Sequence, residues 1–491
     1  MADADESTGH GDAGGFRLDP AQDAAAEPVP GGRELLTGGP GTGKTLVALH
    51  RIHRSWRGDR AGRLLLTTDT SAGATRLADG LVRLAGREIL DRVDVLDVDT
   101  VARRTCVGIT GRAVRIERDE PTRWAHVLQR AAELDDAERR RYTPDFLAAE
   151  YRLVIVGRDL RRLDDYLTAS RADRGVVLDG PARTQVWRLA TAFEELLAGR
   201  GVASRDRTAA RAAEFAEAAH GPAAPRVGGY RHIVADLAQE FSPAQCRLLR
   251  ALVADETGSL LLCVDDRQRI HAPGDAAGAF AASGRLLRLS TGHRNTREII
   301  EFATSVLDPD DASPSTGEVT RTDQTGPEPI LWAFDSTTEE RDAVVRVVRR
   351  WRTEVLADQP PCAVLTPSTR LRDQVDRRLR AARVGTVVLG SDEDIEENRA
   401  VRVGVLTSAA GREFSRVALS GIGAESVPPA ELLDHIDPGD RPELLRRWRA
   451  LLYTACTRAR DRLLVTWTGE PSALLPQPAA PETRSSPSEQ D

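Results

Sequence analysis

Short apolar runs without strict alternation recur along the chain: RLLLTT at Arg63–Thr68, VDVLDV at Val93–Val98, HIVADL at His232–Leu237, SLLLCV at Ser259–Val264, CAVLTP at Cys362–Pro367, VRVGVL at Val401–Leu406, RVALSG at Arg416–Gly421 and RLLVTW at Arg462–Trp467. Longer stretches with apolar residues at helical spacing separate them. Strands that are apolar at nearly every position belong to parallel sheets covered on both faces, because a half-solvated sheet would show alternation. The pattern therefore predicts an α/β protein with parallel sheets in two strand-rich halves. From about residue 103 to 224 the strand signal gives way to helical periodicity, as in ARTQVWRLATAFEELLAG at Ala182–Gly199, which reads as a helical insertion inside the first half. Residues 1–15, rich in Asp, Gly and Ala, and residues 476–491, rich in Pro, Ser and Glu, read as disordered tails.

With 491 residues, 41% of them hydrophobic, the chain can bury the cores of about two to four domains. Five widely spaced cysteines with no CxxC pair argue against zinc or a disulfide framework and for a reducing compartment. No signal peptide and no apolar run of about 18 residues are present, so the cytosol is expected, with no membrane partner. A net charge of −7 carries no global signature of nucleic-acid binding, and the local basic patches Arg139–Arg141 and Arg446–Arg449 read as solvated helix faces.

One compositional bias sharpens the picture. Of 68 basic residues, all but one are arginine, and the exception is Lys44. It lies in GGPGTGKT, Gly38–Thr45, between an apolar strand and a helical run, which is the context that a phosphate-binding loop of the GxxxxGK[ST] type requires. Gly38, Gly39, Pro40, Gly41, Thr42 and Gly43 let backbone N–H groups turn toward phosphate oxygens at a helix N-terminus, Lys44 supplies a compact charge, and Thr45 supplies a hydroxyl for Mg²⁺. Arginine's rigid fork does not fit that cradle, so the bias against lysine is resisted here. Another short run, HIVAD, His232–Asp236, ends on aspartate, as a Mg²⁺-holding strand would.

With these segments placed, the chain from about Leu18 to Leu475 resembles the UvrD/Rep-like branch of superfamily 1A DNA helicases. LDPAQDAA looks like the family's Q motif, ADLAQEF like motif II, CVDDRQRIH like motif III, LSTGHRNTREI like motif IV, VGVLTSAAGREF like motif V and LLYTACTRARDRLLV like motif VI. The resemblance implies two RecA-like P-loop NTPase domains with ATP and Mg²⁺ between them. Residues 16–102 and 225–288 would form domain 1A, 103–224 the helical 1B insertion, and 289–475 domain 2A. It implies that Gln22 reads adenine, Asp236 holds Mg²⁺ with Thr45, Gln239 couples motifs, and Gln268 senses the γ-phosphate. Arg294 and Arg458 would contact the γ-phosphate, Arg458 as the arginine finger, and Glu413 would lie near the ribose. The implied activity is a 3′→5′ single-stranded-DNA-dependent ATPase and helicase in DNA repair or replication. Before motif V only GSDEDIEENRA, Gly390–Ala400, stands where the family has its 2B subdomain, so 2B reads as absent or vestigial.

The departures from the pattern are not scattered. The glutamate that should follow Asp236 is Leu237, which can neither accept a proton nor orient water, and losing a general base typically costs about 10² to 10⁴ in rate. Glu240 lies three residues further on. Asp69 stands where motif Ia has an aromatic residue, His271 and His293 where motifs III and IV have tyrosine, and Thr407 and Ala410 where motif V has histidine and lysine. Retained residues cluster on nucleotide binding, and altered ones on hydrolysis and on gripping the strand. Two readings follow: a DNA translocase of impaired turnover, acting on single-stranded or partly duplex DNA, or a non-hydrolysing ATP switch that binds DNA or a partner protein. The acidic net charge also permits a nucleotide-binding fold without nucleic acid.

Overall fold

The computed structural model describes residues 17–60, 62–171, 174, 177–219, 229–254, 256–268, 284–307, 321–355, 359–391, 394, 400–435, 438 and 441–476; the stretches 1–15 and 477–491 and His271 lie outside them. Two sheets, each of six strands and parallel throughout, form the body. The first comprises β1 (Arg33–Gly38), β2 (Arg63–Thr68), β3 (Val93–Asp97), β4 (Tyr230–Ala235), β5 (Ser259–Val264) and β6 (Arg285–Leu289), in the order β3-β2-β4-β5-β1-β6. The second comprises β7 (Ile330–Phe334), β8 (Ala363–Thr366), β9 (Thr386–Val388), β10 (Val401–Val405), β11 (Phe414–Ser420) and β12 (Ala459–Thr468), in the order β7-β12-β11-β8-β10-β9.

Alternate residues of each central strand enter different cores, which is why the strands read as unbroken apolar runs. In β1, Leu36 packs with Val47 and Ile52 of the helix α2 (Lys44–Gly58), whereas Leu35 joins the core that continues into the helical insertion. The same division separates Leu365 and Leu419 from Val364 and Ala418 in the second sheet. Between β3 and β4 the chain is helical, from Val98–Thr110 through Glu120–Arg130, Pro144–Glu150 and Gly180–Gly199 to Arg205–Ala218. Its centre is aromatic: Trp124 stacks on Phe193 with ring centroids 3.9 Å apart, and Tyr151 meets both edge-on.

Three strands have no counterpart in the sequence pattern, namely β6, β7 and β9. All three are edge strands, and β6 (RLLRL) exposes most of its residues, so charge interrupts the apolar run that marks a central strand. The arginines of one basic patch are not simply solvated. Arg446 pairs with Glu443 at 2.7 Å, and Arg447 reaches Asp145 of the helical insertion at 2.9 Å. The link from β9 to β10, residues 389–400, is only partly described, and Asp394 within it bonds Arg402 at 2.8 Å and also Arg412.

Candidate active site

The loop Gly38–Thr45 leaves the C-terminal end of β1 and enters α2 at Lys44. Gly43 caps the helix in a left-handed conformation, φ +84°, and contributes no side-chain bond, so the first N–H groups of α2 stay available to an anion. Glycine is required there twice over, because a Cβ would also lie 2.4 Å from Gln22 Nε2. At Gly41, φ +69°, a Cβ would lie 2.8 Å from Cβ of Arg294. Thr42 is buried and donates its hydroxyl to the Gly39 carbonyl at 2.9 Å, closing the loop around Pro40.

Lys44 folds back onto its own loop. Its ammonium donates to the carbonyls of Gly38 (2.7 Å) and Gly39 (2.8 Å) and lies 3.5 Å from Asp265 at the end of β5. Thr45 donates its hydroxyl to Asp236 Oδ2 at 2.7 Å, joining the start of α2 to the residue just beyond β4. Burial raises the Asp236 pKa, opposed by the Thr45 hydroxyl and the Lys44 charge. A hydroxyl and a carboxylate in contact are hard oxygen donors of the kind Mg²⁺ accepts alongside substrate phosphates and water. Among the described residues no group of three or more His, Cys, Asp or Glu could enclose an ion by itself.

Gln22 braces the phosphate loop. Its amide donates to the Thr42 carbonyl at 3.0 Å and its oxygen accepts from Asp19 N–H at 2.9 Å, as the far half of a capping box on the helix Pro20–Ala25. His293 sits beside this corner, its Nε2 2.8 Å from Asp19 Oδ2 and its N–H donating to the Gly41 carbonyl.

The remaining candidates span the two sheets. Arg294, in the crossing from β6 to the second sheet, donates to Glu413 at 2.8 Å and to the Thr457 carbonyl at 2.9 Å. Burial acts to raise the Glu413 pKa, but the Arg294 charge prevails and holds it low. Arg458, at the end of the helix Arg441–Cys456, is buried and donates to Gln268 Oε1 across the cleft at 2.8 Å, and to the carbonyls of Thr454 (3.0 Å) and Arg412 (3.2 Å). Burial, and then the nearby Arg294 charge, push its pKa below the usual arginine value. Each of these bonds runs to a neutral oxygen, the arrangement in which an incoming anion relieves most strain on a buried cation. Gln239 accepts from Asp265 N–H at 3.2 Å and so ties the end of β4 to the end of β5.

Leu237 takes the left-handed region, φ +56°, where a bulky residue is strained. A Cβ on Gly411 would come within 3.3 Å of its Cδ1, so the side chain packs toward the loop before β11 in the second sheet. Glu240 closes the short turn that follows and borders a different space, a cavity of about 530 Å³ between the helical insertion, the first sheet and the helix Arg441–Cys456. Asp69 borders that cavity too, and burial raises its pKa.

The family model of the UvrD/REP helicase N-terminal domain matches residues 18–273. The chain belongs to the UvrD/REP helicase family. No curated protein matches it. Among solved structures, the C-terminal domain of a possible DNA helicase from Lactobacillus plantarum matches with 20% identity and a TM-score of 0.28, covering 37% of this chain and 91% of that one. The two parallel sheets are those of two RecA-like domains, and at the level of the family they carry ATP binding and DNA binding. No helix among the described residues is long and apolar enough to cross a membrane.

Several residues of this helicase cleft are not singled out by the sequence pattern. Asp265 beside Lys44 and Asp19 beside His293 act through partners distant in sequence, and Asp394, behind the loop carrying Glu413, pairs with Arg402 and Arg412 nearby in the chain. Asn295 is buried and donates to the Thr457 carbonyl at 2.8 Å, fixing the crossing that carries Arg294. An aspartate directly after an apolar strand, as Asp265 follows β5, is the one local signal that could have marked it.

Proposed function

We propose that the chain is an ATP- and Mg²⁺-binding UvrD-like translocase, a 3′→5′ single-stranded-DNA-dependent ATPase whose turnover is impaired by Leu237. Residues 16–102 and 225–288 act as domain 1A, 103–224 as the 1B insertion and 289–475 as domain 2A. The observation that carries this reading is the convergence of Lys44, the Thr45–Asp236 pair, Arg294 and Arg458 on one cleft, with Arg458 reaching across it to Gln268. Lys44 and the N–H groups of α2 bind the phosphates, exchanging loop carbonyls for phosphate oxygens. Thr45 and Asp236 hold Mg²⁺, which neutralises phosphate charge when bound. Arg294 exchanges Glu413 for the γ-phosphate, releasing Glu413 to the ribose, while Arg458 and Gln268 report closure of the domains. Gln22 steadies the loop at its adenine side, and Gln239 couples Asp236 to Asp265.

A second reading, a switch that closes on ATP without consuming it and binds DNA or a partner protein, is favoured by the packing of Leu237 toward Gly411. Titration calorimetry with MgATP tests the shared part. Wild type should bind and Lys44→Ala should not; unchanged affinity in the variant would remove the site assignment. Leu237→Glu then separates the readings, since a translocase limited by its missing base should gain turnover by about 10²-fold or more.

A further inference from the structure

The acceptors of the Arg458 guanidinium come from different segments. Thr454 belongs to the helix that carries Arg458 and Gln268 to the turn after β5, whereas the Arg412 carbonyl, at 3.2 Å, sits in the loop 406–413 between β10 and β11. The contact is returned just beyond the loop, where Phe414 N–H donates to the Arg458 carbonyl at 3.0 Å. Glu413, the residue between, accepts from Arg294 at 2.8 Å. One short loop therefore meets both cleft arginines.

That loop is held by a turn of its own and by an ion pair. Arg412 N–H donates to the Ala409 carbonyl at 3.1 Å, and Gly411 between them takes a left-handed conformation, φ +67°. The Arg412 side chain forks onto Asp394, with Nη1 3.2 Å from Oδ1 and Nη2 on Oδ2. A two-pronged bond of this kind fixes orientation as well as distance. Asp394 is in turn tied to the sheet. Arg402 of β10, a strand paired on both sides, donates to Oδ1 at 2.8 Å, and Gly390 N–H donates to Oδ2 at 2.9 Å. The Asp394 and Arg402 side chains are 1% and 3% exposed. Burial acts to raise the Asp394 pKa, but the Gly390 N–H and the Arg412 charge hold it below the usual carboxylate range.

We propose that Asp394, which lies outside the motif segments, is a positioning residue for ATP hydrolysis: through Arg412 it holds the carbonyl on which Arg458 rests and the backbone of Glu413 beside it. The assignment rests on the reading of this chain as an ATPase with Arg458 as its arginine finger. A line of contacts runs from β10 through Arg402, Asp394 and Arg412 to Arg458, so the finger takes its setting from the sheet of its own domain. Lys44 and the Thr45–Asp236 pair belong to the first sheet. Loss of the anchor therefore costs rate and leaves nucleotide affinity in place.

Phosphate release by the full chain, with MgATP affinity measured in parallel by calorimetry, tests the assignment. Arg412→Leu is the lead variant, because it leaves Asp394 paired with Arg402. It should lower kcat by roughly 10- to 10²-fold, the cost of displacing a reacting group by about 1 Å, at unchanged ATP affinity. Arg412→Lys, which keeps a charge for Asp394, should retain more of the rate, and Asp394→Asn should lose as much as Arg412→Leu. Should Asp394→Asn fail to fold with Arg402 buried beside it, the two Arg412 variants still decide. As a control, Arg378→Leu breaks an ion pair with Asp342 between the helices Thr369–Ala381 and Thr337–Glu354 and should keep the wild-type rate. Unchanged kcat in Arg412→Leu, an equal loss in Arg412→Lys or in Arg378→Leu, or a loss of affinity in place of rate overturns the assignment and leaves the ATPase reading standing. A wild-type rate no higher than that of Lys44→Ala removes both.

Discussion

Arginines in the nucleotide cleft and arginines around the neighbouring cavity bond different partners. Arg458 bonds two carbonyls and the Gln268 amide oxygen, and the carboxylate that meets Arg294 belongs to Glu413, whose side chain is 55% exposed. Around the cavity under the helical insertion, Arg205 pairs with Asp99 at 2.6 Å, Arg447 with Asp145 at 2.9 Å and Arg174 with buried Glu150 at 2.9 Å. A buried cation resting on neutral dipoles gains most when an anion arrives, whereas a paired one must first give up its carboxylate. Arg458 in the cleft rests on neutral oxygens. Arg174, Arg205 and Arg447 around the cavity are already paired with carboxylates, which agrees with the altered residues Asp69, Thr407 and Ala410 at positions expected to grip a strand.

Removing Arg458 should break this contrast most severely. Arg458→Ala is expected to lower ATP turnover on the order of 10³-fold, the worth of an arginine finger, with nucleotide affinity changed far less. Rapid-quench or phosphate-release kinetics would read this, and a loss confined to affinity would mean that Arg458 only holds the domains together. A smaller effect is expected from Asp145→Asn, which frees Arg447 for a nucleic-acid phosphate. Single-stranded DNA affinity should rise about two- to fivefold and its salt dependence should steepen, by up to about 0.7 in the logarithmic slope. Unchanged affinity and slope in fluorescence anisotropy titrations would place the DNA elsewhere.

The smallest effect concerns Glu120 at the cavity wall, whose pKa is pushed up to about 7, first by burial and then by the Asp206 charge. Its folded-state pKa is raised, so its contribution to stability is fully present below the ordinary glutamate range near 4.5 and is lost as pH rises toward 7. Glu120→Gln should flatten that part of the pH–stability curve in denaturant unfolding. An identical slope in wild type and variant would show that the cavity wall is solvated enough to leave Glu120 unshifted.

The parts of this molecule that were legible in the sequence are those written locally. Central strands announce themselves because both faces are buried, and the phosphate loop does so because its glycines, lysine and threonine are contiguous. Edge strands β6, β7 and β9 are short or polar on one side and carry no such signature. In the cleft, the motif residues could be named from the sequence, but their bonds could not. Gln22 turns out to be occupied with Asp19 and Thr42, and Arg294 with Glu413, which lies 119 residues away. Asp265 and Asn295 were missed for the same reason, since each acts on a partner brought near only by the fold.

Steady-state ATP hydrolysis with and without single-stranded DNA, blanked against Lys44→Ala, tests the central claim most directly. The account predicts slow turnover that DNA accelerates and that the Lys44→Ala protein lacks. Tight ATP binding with no hydrolysis above the blank, in either condition, would contradict it and establish the chain as a switch.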